Sequence, residues 1–294
     1  DSAFMCNLAQ NLSRKFEAPL IIYNSEGYYF KNYDYFRAKG FSHFLYPVFK
    51  KLFCHSFEKT IKLASMSIYI CEALKKEYDT TFNLPSETIY TATTLKPFDM
   101  VRKKIKCDDF TVSYLGNLGV GRLDSLCEIG EILNCIDPNA HLDIYGKCPN
   151  EKNRKKMEES KGIRYKGFIS YEQVIKVMHE SDLLVHVESF EEFYREDSKF
   201  AFSTKIADSL ASGTCFLLYA PKEMACYQYL QNNNAAYVAS NKNELEKCIR
   251  AIIHEKDGRK KFLDNAQRLV LKNHDAKKNA EHFQELLMRS VKYD

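Results

Sequence analysis

The chain has no unbroken apolar stretch near the roughly 18 residues a membrane-spanning helix requires, and its mean hydropathy is −0.42, so no spanning helix is expected. Its ten cysteines are dispersed, and the two closest, Cys127 and Cys135, stand eight positions apart. That spacing excludes a CxxC pair and the dense framework of a small secreted domain, and it predicts reduced thiols and a cytoplasmic protein. A large excess of one charge is also missing. The 43 Lys+Arg against 39 Asp+Glu leave only +4, too little for a dedicated nucleic-acid surface, so no nucleic-acid partner is expected. The eight histidines do not cluster at metal-ligand spacing, and His186, on an apolar strand, reads as a satisfied core histidine. No metal and no cofactor are expected. The chain opens Asp1-Ser2-Ala3-Phe4, with no initiator Met and no signal-peptide pattern, so upstream residues are expected to be missing.

What is present suffices for real cores. At 45% hydrophobic content, 294 residues fill one large domain or two modest ones. Charge is uneven: residues 1–105 hold 15 basic and 10 acidic side chains, whereas the remainder holds 28 and 29. Within the basic third, Phe41 to Phe53 interleaves aromatics with Lys50 and Lys51. Residues 37–53 are therefore a candidate contact with a membrane surface, and a core helix with solvated lysines is the plainer reading of the same residues.

Leu20 to Tyr23, preceded by Pro19, reads as a buried strand, with Ser25-Glu26-Gly27 as its following loop. Helix over Phe57–Ala64, strand over Ser67–Cys71 and helix over Glu72–Tyr78 continue the alternation. After the Lys103-Lys104-Ile105-Lys106 linker the pattern sharpens. Strands are predicted over Phe110–Leu115, His141–Tyr145, Ile163–Lys166, Leu183–Glu188, Thr214–Ala220 and Ala235–Ala239. Leu123, Leu126, Ile129, Ile132, Leu133 and Ile136 give the intervening helix one apolar stripe. Helices over 243–255, 258–272 and 276–291 close the chain. Such alternation specifies an α/β fold with parallel sheets covered by helices.

Two segments carry chemistry. Tyr114 to Arg122 runs from a strand through Gly116, Gly119 and Gly121 into that amphipathic helix. Glycines there let backbone N–H groups approach a phosphate, and Arg122 can pair with it. The spacing is not GxGxxG with an acidic residue some 20 positions on, so a dinucleotide dehydrogenase is disfavoured. The second segment, Phe202 to Gly213, is a short helix with Ser203 or Thr204 as its N-cap and Gly213 as its stop. Two hydroxyls and Lys205 at its start suit a diphosphate, and Asp208 one turn later suits ribose hydroxyls. In a parallel sheet both loops, and Gly167-Phe168-Ile169-Ser170, lie at the carboxyl edge where ligands bind.

Gly116-Asn117-Leu118, Asp143-Ile144-Tyr145-Gly146, Gly167-Phe168-Ile169, Ser181 to Glu188 and Ser203-Thr204-Lys205-Ile206 through Gly213, in this order, resemble the retaining glycosyltransferases of family 4, in particular their bacterial surface-polysaccharide branches. The resemblance implies GT-B architecture, two Rossmann-like domains. On this reading residues 1–105 are an incomplete acceptor-side domain, 106–274 a nucleotide-sugar domain, and 275–294 a helix crossing back to the first. The donor would be a UDP- or GDP-linked sugar and the acceptor a glycan or lipid-linked saccharide, with the protein cytoplasmic or peripheral on the inner face of the plasma membrane.

Carried over by position, Gly116, Asn117 and Gly146 would approach the diphosphate or donor sugar, and Phe168 and Ile169 would border the base. Arg122 and Lys205 would act catalytically on the diphosphate with Ser203 and Thr204 beside them. Asp208 would take the place of the second Glu of the family's EX7E motif. Phe200 stands where its first Glu belongs, which leaves Glu188, Glu191 and Glu192 as alternatives, Glu188 being assigned to the substrate. Glu26 stands near the place of the family's catalytic-site His, as an acceptor contact or base. A non-catalytic subunit that keeps the fold, and a GT-B nucleotide-sugar epimerase, are the alternatives.

Overall fold

The computed structural model describes residues 3–30, 41–96 and 110–291. The Lys103–Lys106 linker, the expected boundary at 105/106 and residues 37–40 of the candidate membrane contact lie outside them. The chain divides into two compact units, one of Asp1–Thr91, Lys199–Phe202 and Ala276–Asp294, the other of Ala92–Ser198 and Ser203–Asp275.

The second unit holds the larger sheet. Its strands are β4 (Thr111–Leu115), β5 (His141–Tyr145), β6 (Ile163–Gly167), β7 (Leu183–Val187), β8 (Cys215–Tyr219) and β9 (Tyr237–Ala239). They pair in parallel in the order β6-β5-β4-β7-β8-β9. The central strands read as continuous apolar runs because helices cover both faces: Leu-Leu-Val-His-Val of β7 and Cys-Phe-Leu-Leu-Tyr of β8 are buried at every position. The edge strand β6 instead alternates between exposed and half-buried. Helix α4 (Arg122–Ile136) lays Leu126, Ile129 and Leu133 against Val112, Leu142 and Val185 of the sheet, as its stripe of apolar residues predicts. Each such side chain contributes about 1.5–3 kcal/mol by leaving water. The order reverses between β4 and β7, which opens a crevice at their carboxyl ends.

The first unit holds a parallel sheet of β1 (Leu20–Asn24), β2 (Ala64–Tyr69) and β3 (Ser86–Thr88) in that order. Helix α1 (Ala3–Phe16) packs on α2 (Phe41–Leu63), where buried Gln10 donates to Thr60 Oγ1 at 2.8 Å and to the Ser56 carbonyl at 3.2 Å. The helix expected from Phe57 thus begins at Phe41, and Ala64 opens the next strand instead of closing the helix. α1, β3 and a helix over Glu192–Ser198 arise where no element was expected. Tyr29, Phe30, Phe57, Tyr78 and Phe82 form one aromatic cluster, mostly of tilted and edge-on rings, with Tyr78 stacked on Phe82. Phe4, Met5, Leu8, Leu12 and Phe16 of α1 remain exposed, as do Phe44, Val48, Phe49 and Leu52 of α2. Among the described residues no helix is long and apolar enough to cross a membrane.

Candidate functional site

A cavity of about 510 Å³ opens at the carboxyl edge of the second unit's sheet. Its lining includes Gly116, Asn117, Gly146, Phe168, Ile169, Thr204, Lys205 and Asp208, with Lys147, Tyr171 and Met178. Residues from four separate segments meet there, each following a parallel strand or opening the helix beyond it.

One wall is main chain. Sheet pairing continues past the strand ends, with Gly116 N–H donating to Tyr145 O and Gly146 N–H to Gly167 O, each at 2.9 Å. The Gly116 and Gly146 backbones approach so closely that a Cβ on Gly146 would overlap the Gly116 carbonyl. Tyr114 Oη donates to Asn117 O at 2.7 Å, and Asn117 Oδ1 accepts the Gly119 N–H at 2.8 Å, so this turn holds its own shape. Val120 takes the left-handed region at φ 55°, a strain a β-branched residue adopts only where its surroundings impose it.

The opposite wall is charged. Ser203 caps α8 (Thr204–Ala211) by accepting the Lys205 N–H at 3.4 Å, which ties its hydroxyl to the helix, while Thr204 and Lys205 face the cavity. Burial, then the nearby Arg122 charge, lowers the Lys205 ammonium below its ordinary value. Asp208 Oδ1 accepts from Thr93 Oγ1 at 2.6 Å, yet burial raises its carboxyl above the usual range. Both groups therefore stand in a medium where an added charge is felt strongly.

Arg122, at the first turn of α4, is placed beside this wall but paired. Glu188 takes its Nε at 3.1 Å and its Nη2 at 2.9 and 3.0 Å. Neither residue lines the cavity, so Glu188 meets Arg122 where a substrate contact was expected. Glu188 is the member of its trio that is buried, whereas Glu191 and Glu192 are exposed. Phe200, the Gly27 it packs against and half-buried Glu26 all belong to the first unit. Thr93 was missed because its partner is 115 residues away. The His186–Glu188 contact had a readable signal, since residues two apart on a strand share a face. Among the described residues, no three His, Cys, Asp or Glu side chains gather into a group that could hold a metal.

Solved structures share this fold at low identity. HepE from Anabaena, in complex with UDP and glucose, matches with a TM-score of 0.67 and 14% identity over 98% of this chain and 76% of its own. A variant of S. aureus TarM, in complex with fondaparinux, alpha-GlcNAc-glycerol and UDP, matches at 0.61 and 16% over 81% of this chain and 47% of its own. WaaG, a glycosyltransferase involved in lipopolysaccharide biosynthesis, matches at 0.56 and 14% over 89% and 76%. The chain thus spans about half the length of TarM and about three quarters of the other two. No curated protein matches it in sequence. The architecture is that of the GT-B glycosyltransferases. The family described as glycosyl transferase-like matches residues 128–285, more than half of the chain, and the chain belongs to that family.

Proposed function

We propose that the chain transfers a sugar, of hexosyl type, from a nucleoside diphosphate sugar to a hydroxyl of a glycan or lipid-linked saccharide, with retention of configuration as in family 4. The observation that carries this reading is the two-walled cavity, in which glycine backbone faces Thr204, Lys205 and Asp208. The loop starts at Gly116 and Gly146 border the cavity, and the start of α8 with its ammonium supplies the positive charge that suits a diphosphate. Asp208 is suited to ribose hydroxyls, and exposed Phe168 and Tyr171 to the flat face of a base. UDP is favoured over GDP as the nucleotide, since the HepE and TarM complexes contain UDP.

In the reaction the bond from the anomeric carbon to the β-phosphate oxygen breaks, a bond from that carbon to the acceptor oxygen forms on the same face, and the acceptor's hydroxyl proton passes to the departing phosphate oxygen. Negative charge grows on the leaving diphosphate; Lys205 and the start of α8 stabilise it from the cavity wall, and Arg122, beside that wall, adds its positive charge at longer range. Glu26 is the acceptor-side carboxylate in this scheme. Surface polysaccharide or glycoconjugate synthesis is the process we infer, with the protein peripheral on a cytoplasmic membrane face. The exposed apolar faces of α1 and α2 support that location, because Arg14, Lys15, Lys50 and Lys51 lie among them and 3–16 carries no acidic residue.

Calorimetric titration with UDP, GDP and inorganic pyrophosphate, followed by incubation with labelled UDP- and GDP-sugars, tests the reading. Saturable UDP binding that Lys205→Ala weakens about 100-fold, together with sugar release or transfer, is expected. Nucleotide binding without any turnover would favour a non-catalytic subunit, and no nucleotide binding would refute the site.

A further inference from the structure

Beside the charged wall lies a buried polar cluster that sugar-nucleotide binding does not itself require. His186 and Glu188 share one face at the end of β7 and are 4% and 2% exposed. His186 Nε2 lies 3.1 Å from Glu188 Oε1, and the same carboxylate holds two nitrogens of Arg122 at 2.9–3.1 Å. Glu188 is itself pinned, its N–H donating to Tyr219 O at 3.1 Å and its carbonyl accepting from Ser125 Oγ at 2.9 Å. Every other side chain of β7 is apolar.

Burying an ion pair is seldom a net gain over apolar packing, so stability is a weak reason for this trio. Its position is a better one. The cluster sits where the strand order reverses between β4 and β7, and Arg122 opens the helix at that crevice. We propose that His186 is a positioning residue: donating from Nε2, it fixes the Glu188 carboxylate, which in turn holds the Arg122 guanidinium in the orientation the leaving diphosphate needs. Glu188 then serves the arginine and not the donor sugar. Burial lowers His186 below its ordinary value, with Arg122 and Lys205 acting the same way against the opposing pull of Glu188. The imidazole is thus kept neutral, with one N–H to give. Burial alone would raise the Glu188 carboxyl, but the hydrogen bond from His186 and the Arg122 charge outweigh it and hold the group ionised.

The proposal rests on the nucleotide-sugar reading for what Arg122 acts on, and its test separates the two. Heteronuclear NMR of the Arg122 Nε–H reports the Glu188 contact directly, and titration with inorganic pyrophosphate reports its consequence. In the unaltered protein the Nε–H should exchange slowly with water. In His186→Leu its exchange should accelerate about tenfold or more and pyrophosphate affinity should fall about tenfold, while amide protection of β7 and β8 stays native. His186→Gln, which restores a donor, should bring both quantities back to within about threefold. If His186→Leu does not fold, His186→Phe supplies the second donor-free variant. Native Arg122 protection in either donor-free variant, or a Gln variant no better than Leu, overturns the proposal. An unaltered protein that binds neither pyrophosphate nor UDP refutes the nucleotide reading instead, while the Arg122 exchange still decides whether His186 positions it.

Discussion

The loops after β4 and β5 are held at the cavity by close main-chain packing, whereas the start of α8 meets it with charged side chains. The first wall is fixed by sheet register: Gly116 bonds to Tyr145 and Gly146 to Gly167, so each loop start is an extra rung of the ladder. The second wall is set by burial and charge, with Lys205 lowered and Asp208 raised. Close backbone packing tolerates almost no added volume. A side-chain wall tolerates small changes of shape but responds to every change in charge.

Volume gives the largest effect and the sharpest way to break this contrast. Gly146→Ala would place a methyl group inside the Gly116 carbonyl, and only a backbone shift relieves that overlap. We expect a loss of about 3 kcal/mol or more in unfolding free energy, read from denaturant melts, together with loss of UDP binding. Gly167→Ala is the control within the same wall. There φ is +81° and nothing lies within 4 Å, so the cost should be only the strain of a left-handed alanine, about 1–2 kcal/mol. Equal losses in the two variants would mean the backbone wall is not packed as described.

Charge on the other wall ranks next. Lys205→Ala should lower kcat/KM for the donor about 100-fold with little change in stability. The sign of the pH response follows from its lowered value. An anion binds the protonated ammonium, so affinity holds below the group's pKa and falls as pH rises through it, at a lower pH than for an ordinary lysine. Lys205→Arg, which stays charged, should keep pyrophosphate affinity to higher pH. An alkaline fall unchanged in the Arg variant would assign it to another group. Asp208→Asn, which keeps a partner for Thr93 but removes the charge, should cost about tenfold in nucleoside-dependent affinity and leave pyrophosphate binding nearly intact.

The same division explains what could be read from the sequence. Strand positions, helix faces and glycine turns follow from local apolar runs, helical spacing and turn residues, so β4 to β9 and the glycine loops after them were legible to within two residues, whereas the strand order was not. Ser203, Thr204, Lys205 and Asp208 were legible because a cap, a helix and its spacing are local. The pairing of Arg122 with Glu188 was not, since 66 residues separate them and only the crossing between β4 and β7 joins them. Thr93, which holds Asp208, carries no local signal at all. Helix α1 was readable but not read: Phe4, Met5, Leu8, Leu12 and Phe16 recur at helical spacing, and because they stay exposed the stripe marks a helix without marking a core.

The smallest expected effect comes from the aromatic rim, where the backbone wall ends in a side chain. Phe168 is 70% exposed, and the Lys147 ammonium lies 5.2 Å from its ring centre. An exposed ring lined up on a cavity loses little packing when removed, so Phe168→Ala should change unfolding free energy by no more than about 0.5 kcal/mol. Its effect should fall on binding alone. A base stacked on the ring is gripped equally in ground and transition states, because it lies far from the reacting carbon. KM for the nucleotide sugar should therefore rise about three- to tenfold while kcat holds. Pyrophosphate, which has no base to stack, should bind Phe168→Ala as it binds the unaltered protein. A fall in kcat instead would move Phe168 from the base to the reacting end of the donor, and the nucleotide would then run in the opposite direction between the two walls.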